Sequence, residues 1–153
     1  MTRILVPLFG DGKDSVALAA AGKVAENMGA LIDARQFHRT PASTVPIVGE
    51  GLSPATIEQI LSAAKEQFEK QSERANASFD EWCSKDAVPI GSAAGENEVA
   101  ANNAVVTGDI PSSIIDPARL SDMTVFVSEN ENDDTDRHAM AQAVLLDALR
   151  PLL

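Results

Sequence analysis

Apolar residues recur along this chain in two rhythms, short unbroken runs and stripes spaced by three or four, and the two rhythms alternate. Arg3 to Leu8 reads Arg-Ile-Leu-Val-Pro-Leu. A short apolar run without alternation predicts a central strand buried on both faces. Pro7 stands near its end, where a missing N–H costs least. Phe9-Gly10-Asp11-Gly12-Lys13-Asp14-Ser15 follows as a glycine-bearing turn, and a helix is expected from about Asp14. Val16, Ala20, Val24 and Met28 lie four apart and make one apolar stripe, with Gly29 as the C-terminal cap. Ala30 to Phe37 reads as a second strand, interrupted by Asp33 and Arg35.

Residues Arg39 to Ser53 carry Pro41, Pro46, Gly49 and Gly51, which predicts a loop. Ser53 followed by Pro54 is the favoured opening of a helix. Ile57, Leu61, Ala64, Phe68, Ala75, Phe79 and Trp82 step by three or four as far as Ser84, with one turn skipped at Ser72. At 1.5 Å per residue such a helix spans about 45 Å, longer than a sheet is deep, so a kink or a protruding end is expected. Asp86 to Asn103 reads as a long loop or frayed strand, Ala104 to Thr107 as a third strand, and Gly108-Asp109-Ile110-Pro111 as a turn. A short helix then carries Ile114, Ile115 and Ala118. Met123 to Val127 predicts a fourth strand, Ser128 to Asp136 an acidic loop, and Ala139 to Leu149 a last helix with Met140, Val144 and Leu145 on one face.

Alternating strands and helices predict an α/β fold: a three-layer sandwich around a parallel sheet. Right-handed crossovers put the first strand in the centre, in the order 3-2-1-4, with room for a fifth strand. Ligands on such sheets bind beyond the carboxyl ends of strands, where the strand order reverses. That places a crevice between Phe9–Lys13 and Ser128–Asp136.

The chain has 153 residues, 44% hydrophobic and 23% charged, the balance of one soluble globular domain. No apolar run is long enough for a membrane span, the run Met1 to Pro7 reads as a first strand and as too short for a signal peptide, and a cytoplasmic protein is expected. One cysteine, Cys83, and two histidines, His38 and His138, leave neither a disulfide nor a metal-ligand cluster. The net charge of −11 argues against a nucleic-acid partner. Residues 1–85 carry nine basic and eleven acidic side chains, whereas residues 86–153 carry three and twelve. A bare polyphosphate is therefore a poor partner for the second part.

In its order of motifs the chain resembles the universal stress protein family. Ile4-Leu5-Val6-Pro7-Leu8 opens it, an alanine-rich helix ends in Gly29-Ala30, Val106-Thr107-Gly108-Asp109-Ile110-Pro111 resembles the Gly-Asp-Pro turn before the family's third helix, and Ala118 to Val127 is similar to its fourth strand. The resemblance implies an adenine-nucleotide alpha-hydrolase-like fold. The long proline-bearing loop and long second helix look most like the first half of proteins with two such domains in tandem, so the chain is expected to be one such domain. Nucleotide-binding members carry an Asp at the end of strand one and a glycine-rich loop after strand four. Here Phe9 stands in place of the Asp, and residues 109–153 contain no glycine. The loop instead carries Glu129, Glu131, Asp133, Asp134 and Asp136, which repel a triphosphate. The expectation is a regulatory or interaction domain of the stress response, not an enzyme, without the usual ATP site and without a required cofactor.

The rival reading is a nucleotide binder, of ATP or AMP, or an ATP pyrophosphatase-like enzyme. Gly10-Asp11-Gly12-Lys13-Asp14-Ser15 resembles the Ser-Gly-Gly-X-Asp-Ser loop of those enzymes, with Gly10 for the Ser and Asp11 for the first Gly. The bland counterpart is a plain turn with Asp14 or Ser15 as a helix cap. The candidate nucleotide-contacting residues are Pro7, Leu8, Phe9, Asp11, Lys13 and His38, with Val127 and Ser128 across the crevice. His38 reads more readily as an exposed histidine, Cys83 as packing, and the acidic loop as a solvated segment rather than a metal site. No catalytic Ser-His-Asp or Cys-His set can be assembled. Leu149 to Leu153 resembles the start of the family's fifth strand, which is too short here for an ordinary strand. An open edge at Met123 to Val127 is then expected to drive a homodimer or pairing with a second domain of the same family. The face of Phe68, Phe79 and Trp82 is a second contact candidate, and a tail folded over strand four is the monomeric alternative.

Overall fold

The computed structural model describes residues 2–40, 51, 53–91, 98–127 and 135–153. Four parallel strands, β1 (Thr2–Leu8), β2 (Ala30–Arg39), β3 (Ala100–Gly108) and β4 (Met123–Thr124), form one sheet in the order β3-β2-β1-β4. Between them run α1 (Asp14–Met28), α2 (Pro54–Lys85), a short 3₁₀ turn with α3 (Ile115–Arg119), and, after β4, α4 (Thr135–Ala143). The expected order and the central place of the first strand are both present.

Strand periodicity divides the core in two. Ile4, Val6 and Leu8 of β1 and Ala30, Ile32 and Ala34 of β2 point to one face. There they meet Ala17, Leu18, Ala21 and Ala25 of α1 and Ala75, Phe79, Trp82 and Cys83 of α2. Leu5 and Phe37 point to the other face, against Ile114, Ala118, Met140, Ala143 and Val144. The buried face of α1 is displaced by one position from the expected stripe. Val16 and Met28 are half exposed, while Ala17, Leu18, Ala21 and Ala25 are buried. Small alanines let α1 approach the sheet closely, so the larger valine and methionine are left outside. Gly29 has φ +60°, and its N–H closes the helix on the Ala25 carbonyl at 2.8 Å, the expected cap.

Helix α2 opens as expected, with Ser53 Oγ accepting from the Thr56 N–H at 3.2 Å and Pro54 in the first turn. It is one continuous helix, and its buried residues, Ala75, Phe79, Trp82 and Cys83, all lie in its last third. Phe79 and Trp82 are thus core, packed with ring centroids 6.3 Å apart, and only Phe68 of the proposed contact face is partly exposed. The skipped turn at Ser72 has a polar cause. Ser72 Oγ donates to Gln36 Oε1 at 2.7 Å, and Gln36 Nε2 donates to Asn76 Oδ1 at 2.7 Å. Asn103 Nδ2 donates to the same Asn76 oxygen at 2.8 Å. Fully buried Gln36 thereby ties β2, α2 and β3 together through satisfied polar groups.

Strand β3 begins at Ala100, four residues before the expected start, and pairs with β2 from Leu31↔Ala100 to Arg39↔Gly108. Its buried residues are the small Ala100 and Ala101, whereas the expected Ala104 and Val105 are exposed. Asp33 and Arg35, which interrupt β2 in sequence, share one face by pleat. Arg35 Nε donates to both Asp33 oxygens at 3.1 Å, and Arg3 approaches the same carboxylate at 3.8 Å.

The last helix differs from expectation. Helix α4 starts at Thr135 and widens to a π turn over Val144–Ala148, so Met140, Ala143, Val144 and Ala148 face inward and Leu145 faces solvent. The edge of β4 is covered within the chain. Thr124 N–H donates to the Pro151 carbonyl at 3.0 Å, Leu153 N–H to the Thr124 carbonyl at 3.0 Å, and Phe126 N–H to the Leu153 carbonyl at 2.9 Å. Leu152 pairs with Thr124 in parallel, at the fifth position of the sheet. The open edge expected from the sequence is therefore corrected.

Candidate functional site

The turn after β1 is built around Asp14. Its Oδ1 accepts from the Phe9 N–H at 2.9 Å and its Oδ2 from the Gly10 N–H at 2.8 Å. Two successive N–H groups turned to one side make an anion-binding concavity, and in this chain the anion is the chain's own carboxylate. Asp14 is 2% exposed. Burial holds its carboxyl above the ordinary value, against the opposing pull of the two N–H groups. Asp14 therefore closes the turn behind it rather than capping α1, where Lys13 occupies the cap position without a side-chain bond.

At Gly10 the turn has no room for a side chain. It has φ +68°, and a Cβ there would lie 2.2 Å from the Gln71 carbonyl oxygen of α2. The long second helix thus presses on the turn from outside while Asp14 fills it from inside.

Asp11, which in sequence puts a carboxylate into a phosphate cradle, pairs with Arg137 of α4. Arg137 is 8% exposed, its Cζ stands 4.3 Å over the Phe9 ring centroid, and Nη1 donates to the Val127 carbonyl at 2.9 Å. Phe9, in the place of the family's Asp, is thus the platform of a cation–π contact. The sequence reading missed Arg137. Its signal is the lone basic residue after an acidic segment, opposite Asp11.

A cleft of about 670 Å³ lies beside this knot, over the carboxyl ends of β1, β2 and β3 and walled by α2. Its lining includes Phe9, Phe37, His38, Phe68, Thr107 and Ile110. It takes Phe9 and Asp11 from the turn after β1 and Asp136 from the end of the acidic segment, the two sides of the expected crevice, while residues 128–134 lie outside the described residues. The stretch of α2 from Ala64 to Gln71 and the ends of β2 and β3 form most of its remaining wall, which the sequence reading did not include. His38 is buried, not exposed. Its ring lies 4.0 Å from that of Phe68, its Nε2 has no hydrogen-bond partner among the described residues, and burial lowers its pKa from the ordinary value.

Of the candidate contact residues, Phe9, Asp11 and His38 line this cleft. Pro7 and Leu8 are buried within β1. Lys13 lies partly exposed in the turn, with its N–H on Asp11 Oδ1 at 3.1 Å. Val127 joins the group only through its carbonyl to Arg137. Ser128 and the acidic residues Glu129 to Asp134 lie outside the described residues. Asp136, the last of the acidic stretch, accepts from Arg39 Nε at 3.2 Å. His138 is exposed on α4, with Nε2 3.2 Å from Gln142 Nε2.

Among the described residues no helix is long and apolar enough to cross a membrane. No protein-family model matches the chain, and no curated protein matches it. Solved structures do. The universal stress protein UspA from Lactobacillus plantarum aligns over 99% of this chain and 95% of its own, with a TM-score of 0.61 and 13% identity. A universal stress protein in complex with cAMP aligns over 99% and 94%, with a TM-score of 0.53 and 14% identity. A universal stress protein family member from Arabidopsis thaliana with AMP bound aligns over 100% and 90%, with a TM-score of 0.53 and 14% identity. At these identities the likeness is one of fold, and the fold of this chain is that of the universal stress proteins.

Proposed function

We propose that this chain is a universal stress protein-like regulatory or interaction domain without catalysis, whose phosphate-binding turn is closed by its own side chains. The observation that supports this reading best is Asp14 on the Phe9 and Gly10 N–H groups. A phosphate approaching those donors has to displace a buried carboxylate that already holds both of them. The Arg137–Asp11 pair adds a second obstacle, because this cation is already engaged by a carboxylate of the turn. We propose the cytoplasm as its place. The chain forms one domain, and its partner is either a second copy of this chain or, in a tandem arrangement of which it is the first half, a second domain of the same fold. Support for such a partner comes from the exposed leucines of the C-terminal segment, Leu145, Leu146, Leu149 and Leu153, rather than from the covered edge of β4.

The rival reading is nucleotide binding through Gly10 to Ser15. What favours it is that two structures of the same fold hold cAMP and AMP. Calorimetric titration with ATP and Mg²⁺ separates the two. The proposed reading expects no saturable heat. The rival expects micromolar binding that weakens when Lys13 is replaced by Ala.

A further inference from the structure

The cleft beside the closed turn is a site without an assigned ligand. Its volume of about 670 Å³ falls within the roughly 300–1,000 Å³ of small-molecule sites. Phe9, Phe37, Phe68 and Ile110 make its walls apolar. Its charged lining sets Arg39 and Lys65 against Asp136, Glu69 and Asp11, with Arg39 paired to Asp136 and Lys65 to Glu69. No surplus of positive charge is therefore offered to a phosphate or carboxylate.

One polar group in the lining is unsatisfied. His38 is 8% exposed, and its Nε2, itself covered from solvent, lacks a hydrogen-bond partner among the described residues. Leaving such a group unpaired costs about 1–3 kcal/mol, and a ligand that meets it recovers part of that cost. Burial favours the neutral imidazole, whose Nε2 either donates or accepts according to tautomer. A hydroxyl satisfies both cases. Thr107, paired with His38 across β2 and β3, supplies a neighbouring hydroxyl in the same lining.

We propose that this cleft binds a small, uncharged, planar aromatic molecule bearing a hydroxyl group, a phenol in chemical class. The ring packs against Phe68 and the hydroxyl bonds to His38 Nε2. Phe68 now lies on His38, with ring centroids 4.0 Å apart, so the ligand takes the place of that ring contact. Phe68 sits on the stretch of α2 that has no buried residue, where a small displacement is least resisted. The inference rests on the reading that the phosphate turn is closed.

The test is a two-dimensional NMR titration of the intact chain with 2-naphthol and, separately, with AMP. The expected result is saturable shifts at the Phe37 and Thr107 amides, with a dissociation constant on the order of 100 µM, as befits a ligand of about ten heavy atoms. AMP should leave those amides unmoved. His38→Phe, which keeps the ring and removes Nε2, should weaken 2-naphthol binding about fivefold or more. Phe68→Ala, on a partly exposed helix face, should do the same while keeping the fold. An absence of saturation with 2-naphthol up to millimolar concentration, or an unchanged affinity in either variant, overturns the phenol site and leaves the closed turn standing. Saturable AMP binding in the cleft overturns both.

Discussion

The Asp14 carboxylate sits on the Gly10 N–H, with Oδ2 accepting that bond at 2.8 Å and both residues buried. The same carboxylate holds the Phe9 N–H. An arrangement that in other turns receives a phosphate is here satisfied from within, four residues along the chain.

Replacing Asp14 by Ala leaves a buried N–H and a half-buried one unpaired. Each orphaned donor costs about 1–3 kcal/mol, and for a domain of this size 1 kcal/mol shifts Tm by about 2–4 °C. Thermal melts of Asp14→Ala should fall by at least about 3 °C. The pH dependence has a definite sign. Because the folded carboxyl is raised above 3.8, the unfolded chain releases this proton first as pH rises. The contribution of Asp14 is fully present below pH 3.8 and is lost as pH rises through the folded value. Urea unfolding should show the wild type losing stability relative to Asp14→Asn from about pH 3 towards neutrality. A constant difference contradicts the burial argument.

Gln36 is the hub of the polar group shared by β2, α2 and β3. Gln36→Leu strands the groups on Ser72, Asn76 and Asn103 that now meet it, and Tm should drop by roughly 3–10 °C. Adding Asn76→Leu should cost less than the sum of the two single changes, because both partners of the shorter bond are then gone. Strict additivity would show that the network is not coupled.

Much of the fold was legible in the sequence because strands and helices alternate with clear punctuation. Ser53-Pro54 and Gly29 act as read. The misreadings share a cause, which is that small residues carry no hydrophobic signal. Ala17, Ala21 and Ala25 form the buried face of α1, and Ala100 and Ala101 open β3, yet the pattern drew the eye to Val16, Met28 and Val105. The site was harder to read. Asp14 looks like an ordinary helix cap until its two acceptor bonds point backwards. Arg137 reaches Asp11 across 126 positions, a distance over which one sequence offers no register. His38 became part of a cleft only because α2 passes over the sheet and lays Phe68 on it.

Cys83 is buried, and its thiol is pushed up to about 11 by burial and by the neighbouring carboxylates of Asp80 and Asp86. At pH 8 almost none is thiolate, the reactive form. The native protein should react with a disulfide reagent at least about 100-fold more slowly than the protein in denaturant. Equal rates would place the thiol outside the core.

The segment Pro151–Leu153 covers the outer edge of β4. Deleting it exposes the backbone groups of Thr124 and Phe126, which now bond to it. An uncovered edge next to apolar side chains pairs with other chains. Sedimentation should show the shortened chain gaining mass with concentration beyond the intact chain. Identical behaviour of the two would mean that the segment does not guard the edge.

The central claim is that the turn after β1 is closed to phosphate, and a crystal soaked with ATP and Mg²⁺ tests it most directly. The account predicts that the Asp14 oxygens stay on the Phe9 and Gly10 N–H groups, with no phosphate density at the end of β1. Phosphate density on those two donors, with Asp14 displaced, would contradict it.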